Sequence, residues 1–158
     1  MTLEKQKMLQ QLLTDNEFNS YLETVLWAET DRDEPLDKKY DIDDFDPFVL
    51  EFLRKMINQF IDENRDDIDT LLKLNNSEWP RASSMKSILH DFYLTSQGCG
   101  AGFWDGDYPE PQASRLTEAS KKYEFVCFYI GDDGKIYVSF PLKLGKELGV
   151  PGYGICRY

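Results

Sequence analysis

HDFYLTSQGCGAGFWDGDYPE, running from His90 to Glu110, sits where the chain changes character. It contains the single histidine, one of three tryptophans, glycines at 98, 100 and 102, and the acids Asp105, Asp107 and Glu110 just after Trp104. Phe92, Tyr93 and Leu94 are good strand formers. Glycines on alternate positions bare one face of an extended backbone, or build a loop with positive φ. The stretch therefore reads as a strand, a glycine turn and a short return strand through Phe103 and Trp104. Two functions are open to it. The bared backbone and Trp104, flanked by Asp105 and Asp107, could receive a ligand, or the glycines simply form a hairpin turn with an acidic exit loop.

Upstream of this stretch the sequence is helical. Leu3, Met8, Leu9, Leu12 and Leu13 suggest a first helix over 2–13. Asp15 or Asn16 can cap a second helix over 16–29, with Phe18, Leu22, Val25 and Leu26 facing inward. Residues 30–46 form a polar connection with eight acids and one proline. Its DIDDFDP segment invites a calcium-loop reading, but with Asp41 as first ligand the fifth and sixth positions are Phe45 and Asp46, and the pattern fails. Asp46 reads instead as a helix N-cap, with Pro47 at the first helical position. A long helix over 47–73 follows, with a break near Asn64–Asp66. Residues 75–84 form a loop anchored by Trp79–Pro80, and a short helix over 84–91 ends near His90.

Downstream, residues 113–123 form a short helix. FVCFYI (125–130) and KIYVSF (135–140) flank GDDG, the pattern of a β-hairpin. The tail, 141–158, is rich in Gly and Pro and reads as irregular. The fold class is α+β, with N-terminal helices packed on a small, mainly antiparallel sheet and an inserted helix. We expect one domain, 1–158, with a helical half to about 90 and a sheet half over about 91–140.

Composition narrows the function. At 158 residues with 41% hydrophobic content the chain can bury a sizeable core. No apolar run approaches the roughly 20 residues of a membrane span, and the N-terminus lacks a signal-peptide pattern. Cys99, Cys127 and Cys156 form no CxxC pair, which disfavours zinc or a disulfide framework. Cys127 is expected in the core. The net charge of −11 lies in the first half: residues 1–80 carry 20 acids against 9 bases, whereas residues 81–158 carry nine of each. Direct nucleic-acid binding is disfavoured, and a basic protein partner is favoured. The candidate contact residues are Asp41, Asp43, Asp44, Glu63, Asp66 and Asp67 on the helical half, where carboxylates could stand in for the phosphates of a duplex, together with Trp104, Asp105 and Asp107.

The alternative is a small metal- or nucleotide-dependent enzyme. His90, Asp91 and Cys99 would be its catalytic candidates, and Asp105 and Asp107 its metal ligands. No cofactor is expected from any nucleotide motif, because GCGAG has neither the spacing nor the lysine that phosphate-binding loops need.

YLETVLWAETD (21–31), EPLDKKYDIDDFDP (34–47), HDFYLTSQGCGAGFWD (90–105), LTEA (116–119) and YIGDDGKIYV (129–138) together resemble a group of small proteins encoded by tailed bacteriophages. That group more often has His at the position of Cys99 and a basic residue after FWD. The resemblance implies a setting, the bacterial host cytoplasm, and no mechanism. In that setting the expected partner is a host protein with a basic surface.

Overall fold

The computed structural model of the chain describes residues 13–150. The expected helix over 2–13, Leu13 excepted, and Cys156 lie outside these residues. The architecture is α+β. The described elements are α1 (Asp15–Ala28), β1 (Thr30–Asp31), β2 (Glu34–Pro35), α2 (Pro47–Glu63), α3 (Arg65–Leu72), α4 (Met85–Ser96), α5 (Gln112–Ser120), β3 (Cys127–Ile130), β4 (Ile136–Ser139) and α6 (Leu142–Leu148). The sheets are two separate antiparallel pairs, β1–β2 and β3–β4. No described helix is long and apolar enough to cross a membrane.

The central element is α4, and it corrects the strand expected at Phe92–Leu94. Its buried Met85, Ile88, Leu89, Phe92, Tyr93 and Ser96 recur at three- and four-residue spacing, the period of one helical face. That continuous stripe outweighs the local β preference of Phe92 and Tyr93. The helix runs to Ser96, six residues past His90, and stops at Gly98. There φ is +69°, the Cys99 amide donates to the Leu94 carbonyl (3.0 Å) and the Gly98 amide to Thr95 (3.2 Å). This is a Schellman stop, which favours glycine because the left-handed conformation penalises a Cβ. The first glycine of GCGAG thus ends a helix, and residues 100–108 continue as turns.

Aromatic rings join α4 to its neighbours. Phe92 stacks on Phe60 of α2 with centroids 4.0 Å apart and meets Tyr123 edge-on at 5.4 Å. Tyr21 of α1 lies against both Phe92 and Tyr93. Phe103, from the loop after α4, reaches the same cluster beside Phe60 and Tyr108. Every one of these rings is buried. Offset-stacked and edge-on contacts add about 0.5–1.5 kcal/mol each beyond simple burial.

The helix starts are locally encoded. Thr14 caps α1, in place of the expected Asp15 or Asn16. Its hydroxyl accepts from the Glu17 amide and the Glu17 carboxylate accepts from the Thr14 amide, a reciprocal capping box spelled TDNE. Asp46 accepts from the Phe48 amide (3.0 Å) with Pro47 at the first turn of α2, as the sequence indicates. The break after Glu63 also falls where expected, at Asn64.

Four further corrections concern smaller elements. The 30–46 connection contains the β1–β2 hairpin, turned by Arg32 and Asp33 at φ of 51° and 70°, without the glycine that usually marks such turns. The C-terminal segment is not irregular throughout, because Leu142–Leu148 form α6, stopped by Gly149 at φ +74°. Cys127 is half-buried and not part of the core. The strand pairing expected around the glycines is absent among the described residues, so β3–β4 is the larger of the two sheets. Its buried Ile136 and Val138 face inward, and Ile136 also bridges to Phe45 in the chain leading into α2. Phe140, just beyond β4, stacks on Phe52 of α2 at 4.1 Å.

Gly98→Ala should cost about 1 kcal/mol in chemical denaturation, because alanine must adopt the positive φ. Gly100 lacks a positive φ and has open space at its Cβ. Gly100→Ala should therefore change stability by no more than about 0.5 kcal/mol.

Candidate functional site

The polar groups around α4 form two arrangements. The first is built on Asp91, whose side chain is 4% exposed in the middle of a buried helix. A carboxylate there is costly unless it is paired and hydrogen-bonded. Arg81, from the loop before α4, donates through Nη2 to Oδ1 (3.0 Å) and to Oδ2 (3.1 Å), and through Nε to Oδ2 (3.3 Å). Tyr108, from the loop after α4, donates its hydroxyl to Oδ2 at 2.7 Å. Arg81 Nε also lies 3.7 Å from Asp107. Burial, then the charge of Asp91, push the Tyr108 phenol far above its ordinary pKa and keep it a donor. Burial and the adjacent Asp105 carboxylate push Asp107 up.

The second arrangement surrounds His90. Thr24 Oγ1 donates its one proton to the Ser20 carbonyl (3.0 Å) and lies 3.1 Å from His90 Nδ1. Nδ1–H is therefore the donor to Thr24, and Nε2 carries the lone pair of the neutral ring. The imidazole packs against the exposed Trp27, with centroids 5.7 Å apart. Burial lowers the His90 pKa; Asp91 opposes that shift and Arg81 adds to it.

These placements separate the residues proposed as catalytic. His90 and Asp91 are neighbours in sequence but point about 100° apart on a helix, and Asp91 is fully engaged by Arg81 and Tyr108. Cys99 lies beyond the helix stop. Burial and then Glu29 raise its pKa, which keeps the thiol protonated and weakens it as a nucleophile. Among the described residues no contact joins Cys99 to His90. Asp105 accepts from the Gly102 amide at 3.2 Å and closes its own loop. Among the described residues, no group of three or more His, Cys, Asp and Glu side chains is placed to hold a metal ion.

The acidic candidates divide between the two ends of α2. Its 17 residues put roughly 25 Å between those ends. At the C-terminal end the acids are mostly paired. Asp67 meets Arg115 (3.0 Å), Asp62 meets Arg65, and Glu63 shares Lys122 (3.1 Å) with Glu147 of α6 (3.0 Å). Asp66 is exposed there. At the N-terminal end, Asp41 and Asp44 cap a short 3-10 turn over Ile42–Asp44, Asp41 accepting from the Asp43 amide (2.9 Å) and Asp44 from the Asp41 amide (2.8 Å). Among the described residues no lysine or arginine forms an ion pair with Asp41, Asp43 or Asp44. Beside them Phe48 is 60% exposed. The Phe45–Ile136 bridge brings the outer face of the hairpin alongside, where Tyr129 and Tyr137 stack at 5.7 Å and Tyr137 donates to Asp133 at 2.6 Å.

Sequence reasoning named the acids and Trp104 as contact candidates and did not single out Arg81, Tyr108 or the Tyr129–Tyr137 pair. One signal was present. Asp91 interrupts a helical stripe of apolar residues, and a carboxylate there requires a cation and a donor from elsewhere. No protein-family model matches the chain, and neither a curated protein nor a solved structure gives a significant match.

Two measurements test this arrangement. Tyr108→Phe should cost about 1.5–3 kcal/mol in urea unfolding, because it removes a hydrogen bond to a buried charge. The His90 ring should titrate by NMR below the ordinary histidine value. A folded-state pKa lowered in this way means that the unfolded chain binds the proton more readily. The His90 contribution to stability is thus present above the ordinary histidine pKa and lost as pH falls from there through the lower folded-state pKa. His90→Gln should flatten the slope of stability between neutral and mildly acidic pH.

Proposed function

We propose that this chain is a phage-encoded acidic binding protein that docks on a basic surface of a host protein and blocks or redirects it. The observation that carries the reading is the surface at the N-terminal end of α2. Asp41, Asp43 and Asp44 present charge without ion-pair partners among the described residues, next to the exposed ring of Phe48 and the Tyr129–Tyr137 pair. Aromatic anchors among uncompensated carboxylates match what a basic protein surface requires. The rings supply desolvated contact area, and the charges supply steering and register.

The opposite end of α2 supports this role less well, because Asp62, Glu63 and Asp67 are already neutralised by their own bases. The same pairing and the distance between the two ends weigh against one continuous phosphate-like track. The docking reading needs no cofactor and no direct contact with nucleic acid. The likeness to tailed-phage proteins supplies the setting, the bacterial cytoplasm during infection.

The test is affinity capture from host lysate with the tagged chain at low and high salt, run in parallel on two variants. One carries Asp43→Lys and Phe48→Ala; the other carries Asp66→Lys. A host protein should be retained at low salt and released at high salt. The first variant should weaken its binding by about tenfold or more, and the second should leave it nearly unchanged. Equal capture by the first variant, or no host protein retained at low salt, would contradict the proposal.

A further inference from the structure

We infer that the groove between α5 and the loop over 104–110 is a receptor for an arginine side chain of the basic partner, an inference that rests on the binding reading above. The groove has a volume of about 420 Å³, and Trp104, Tyr108, Glu110, Ala113, Thr117 and Glu118 line it. Tyr108 and Ala113 are buried. Trp104 is 55% exposed, although tryptophan gains more than most side chains from losing contact with water.

The indole is mounted on a fixed loop. Phe103, the preceding residue, is fully buried, and its amide donates to Thr95 Oγ1 at 3.1 Å. Tyr108, four residues after Trp104, is tied to Asp91. Between these anchors the loop has little freedom left to lose on binding, which favours affinity.

The charge of the groove specifies the ligand. Glu110 is held in place by the Ser114 amide (2.8 Å) and hydroxyl (2.9 Å). Glu118 carries one exposed partner, Lys121, at 2.7 Å. Asp105 and Asp107 lie on the same loop but outside the groove, where Asp107 is 3.7 Å from Arg81, so the charge inside it is that of Glu110 and Glu118. An indole face beside carboxylates is the combination that attracts an organic cation. A guanidinium suits it better than an ammonium, because its plane can lie on the indole while its edge donates in parallel to a carboxylate. The groove thereby gives a docked basic protein a second point of attachment, separate from the Phe48 surface.

The probe is a short capped peptide with one arginine, compared with otherwise identical peptides carrying citrulline or lysine. The readout is the three indole N–H signals of the folded ¹⁵N-labelled chain, with the Trp104 signal assigned from Trp104→Phe. The arginine peptide should shift the Trp104 signal saturably, the lysine peptide should do so more weakly, and the citrulline peptide should leave it in place. Glu110→Gln and Glu118→Gln, both at exposed positions, should each weaken the arginine effect by about threefold or more. No shift at Trp104, an equal shift with citrulline, or indifference to both glutamine changes would overturn the inference. If the host protein still binds Trp104→Ala normally, the groove assignment fails while the docking reading stands. If the arginine peptide moves Trp104 but no host protein is captured, the groove stands and the docking reading fails.

Discussion

A carboxylate in the middle of a buried helix must find its partners, and the region around α4 is arranged by that requirement. Asp91 is satisfied by Arg81 from the segment before the helix and by Tyr108 from the segment after it. Both segments are irregular, and each is drawn to the same point on α4. With Tyr108 held there and Gly98 turning the chain at the end of the helix, Phe103 falls into the aromatic core beside Phe60. Trp104 then emerges at the surface. The buried charge thus sets the course of the most glycine-rich part of the described chain, and a single residue decides which aromatic packs inside and which is presented outside. Removing only one partner of such a group would leave charge uncompensated in the interior, which is far more costly than never having buried it.

Local signals in the sequence show a good part of this. Asp46 and Pro47 announce the start of α2, the polar Asn64–Asp66 marks its end, and the two β-rich runs around GDDG pair as a hairpin with Ile130 opposite Ile136. The reading of Phe92, Tyr93 and Leu94 as strand fails because the β preference of three residues is a short, local signal. The stripe from Met85 to Ser96 is a longer, stronger signal, and Gly98 is the expected stop for a helix of that length. The β1–β2 turn escapes because Arg32 and Asp33 take a conformation usually left to glycine or asparagine. Which acids are paired cannot be read from composition. Glu63 and Lys122 are far apart in the chain and meet only because the 3-10 turn over Lys121–Tyr123 and α6 pack on α2.

The surface follows from these constraints. Acids that the fold uses internally, at the C-terminal end of α2, tie α3, α5 and α6 together. Asp41, Asp43 and Asp44 have no lysine or arginine ion-pair partner among the described residues, and Asp41 and Asp44 hold their own backbone turn. The sequence-wide excess of −11 is therefore unevenly available, and part of it, at Asp41, Asp43 and Asp44, lies close in sequence to the exposed Phe48. The groove beside Trp104 also combines an exposed ring with carboxylates. Both surfaces are backed by fixed contacts, one by the Phe45–Ile136 bridge and the other by Asp91.

Hydrogen exchange on Asp91→Asn tests most directly whether Asp91 organises these loops. Asparagine keeps the shape and loses the charge that holds Arg81 and Tyr108. The amides of Ser83, Gly102 and Asp105, hydrogen-bonded within the two loops, and that of Phe103, which donates to Thr95 on α4, should lose protection together by roughly tenfold or more. The β3–β4 hairpin should keep its protection. Unchanged protection in both loops, or an equal loss across the whole described chain, would contradict the role assigned to Asp91.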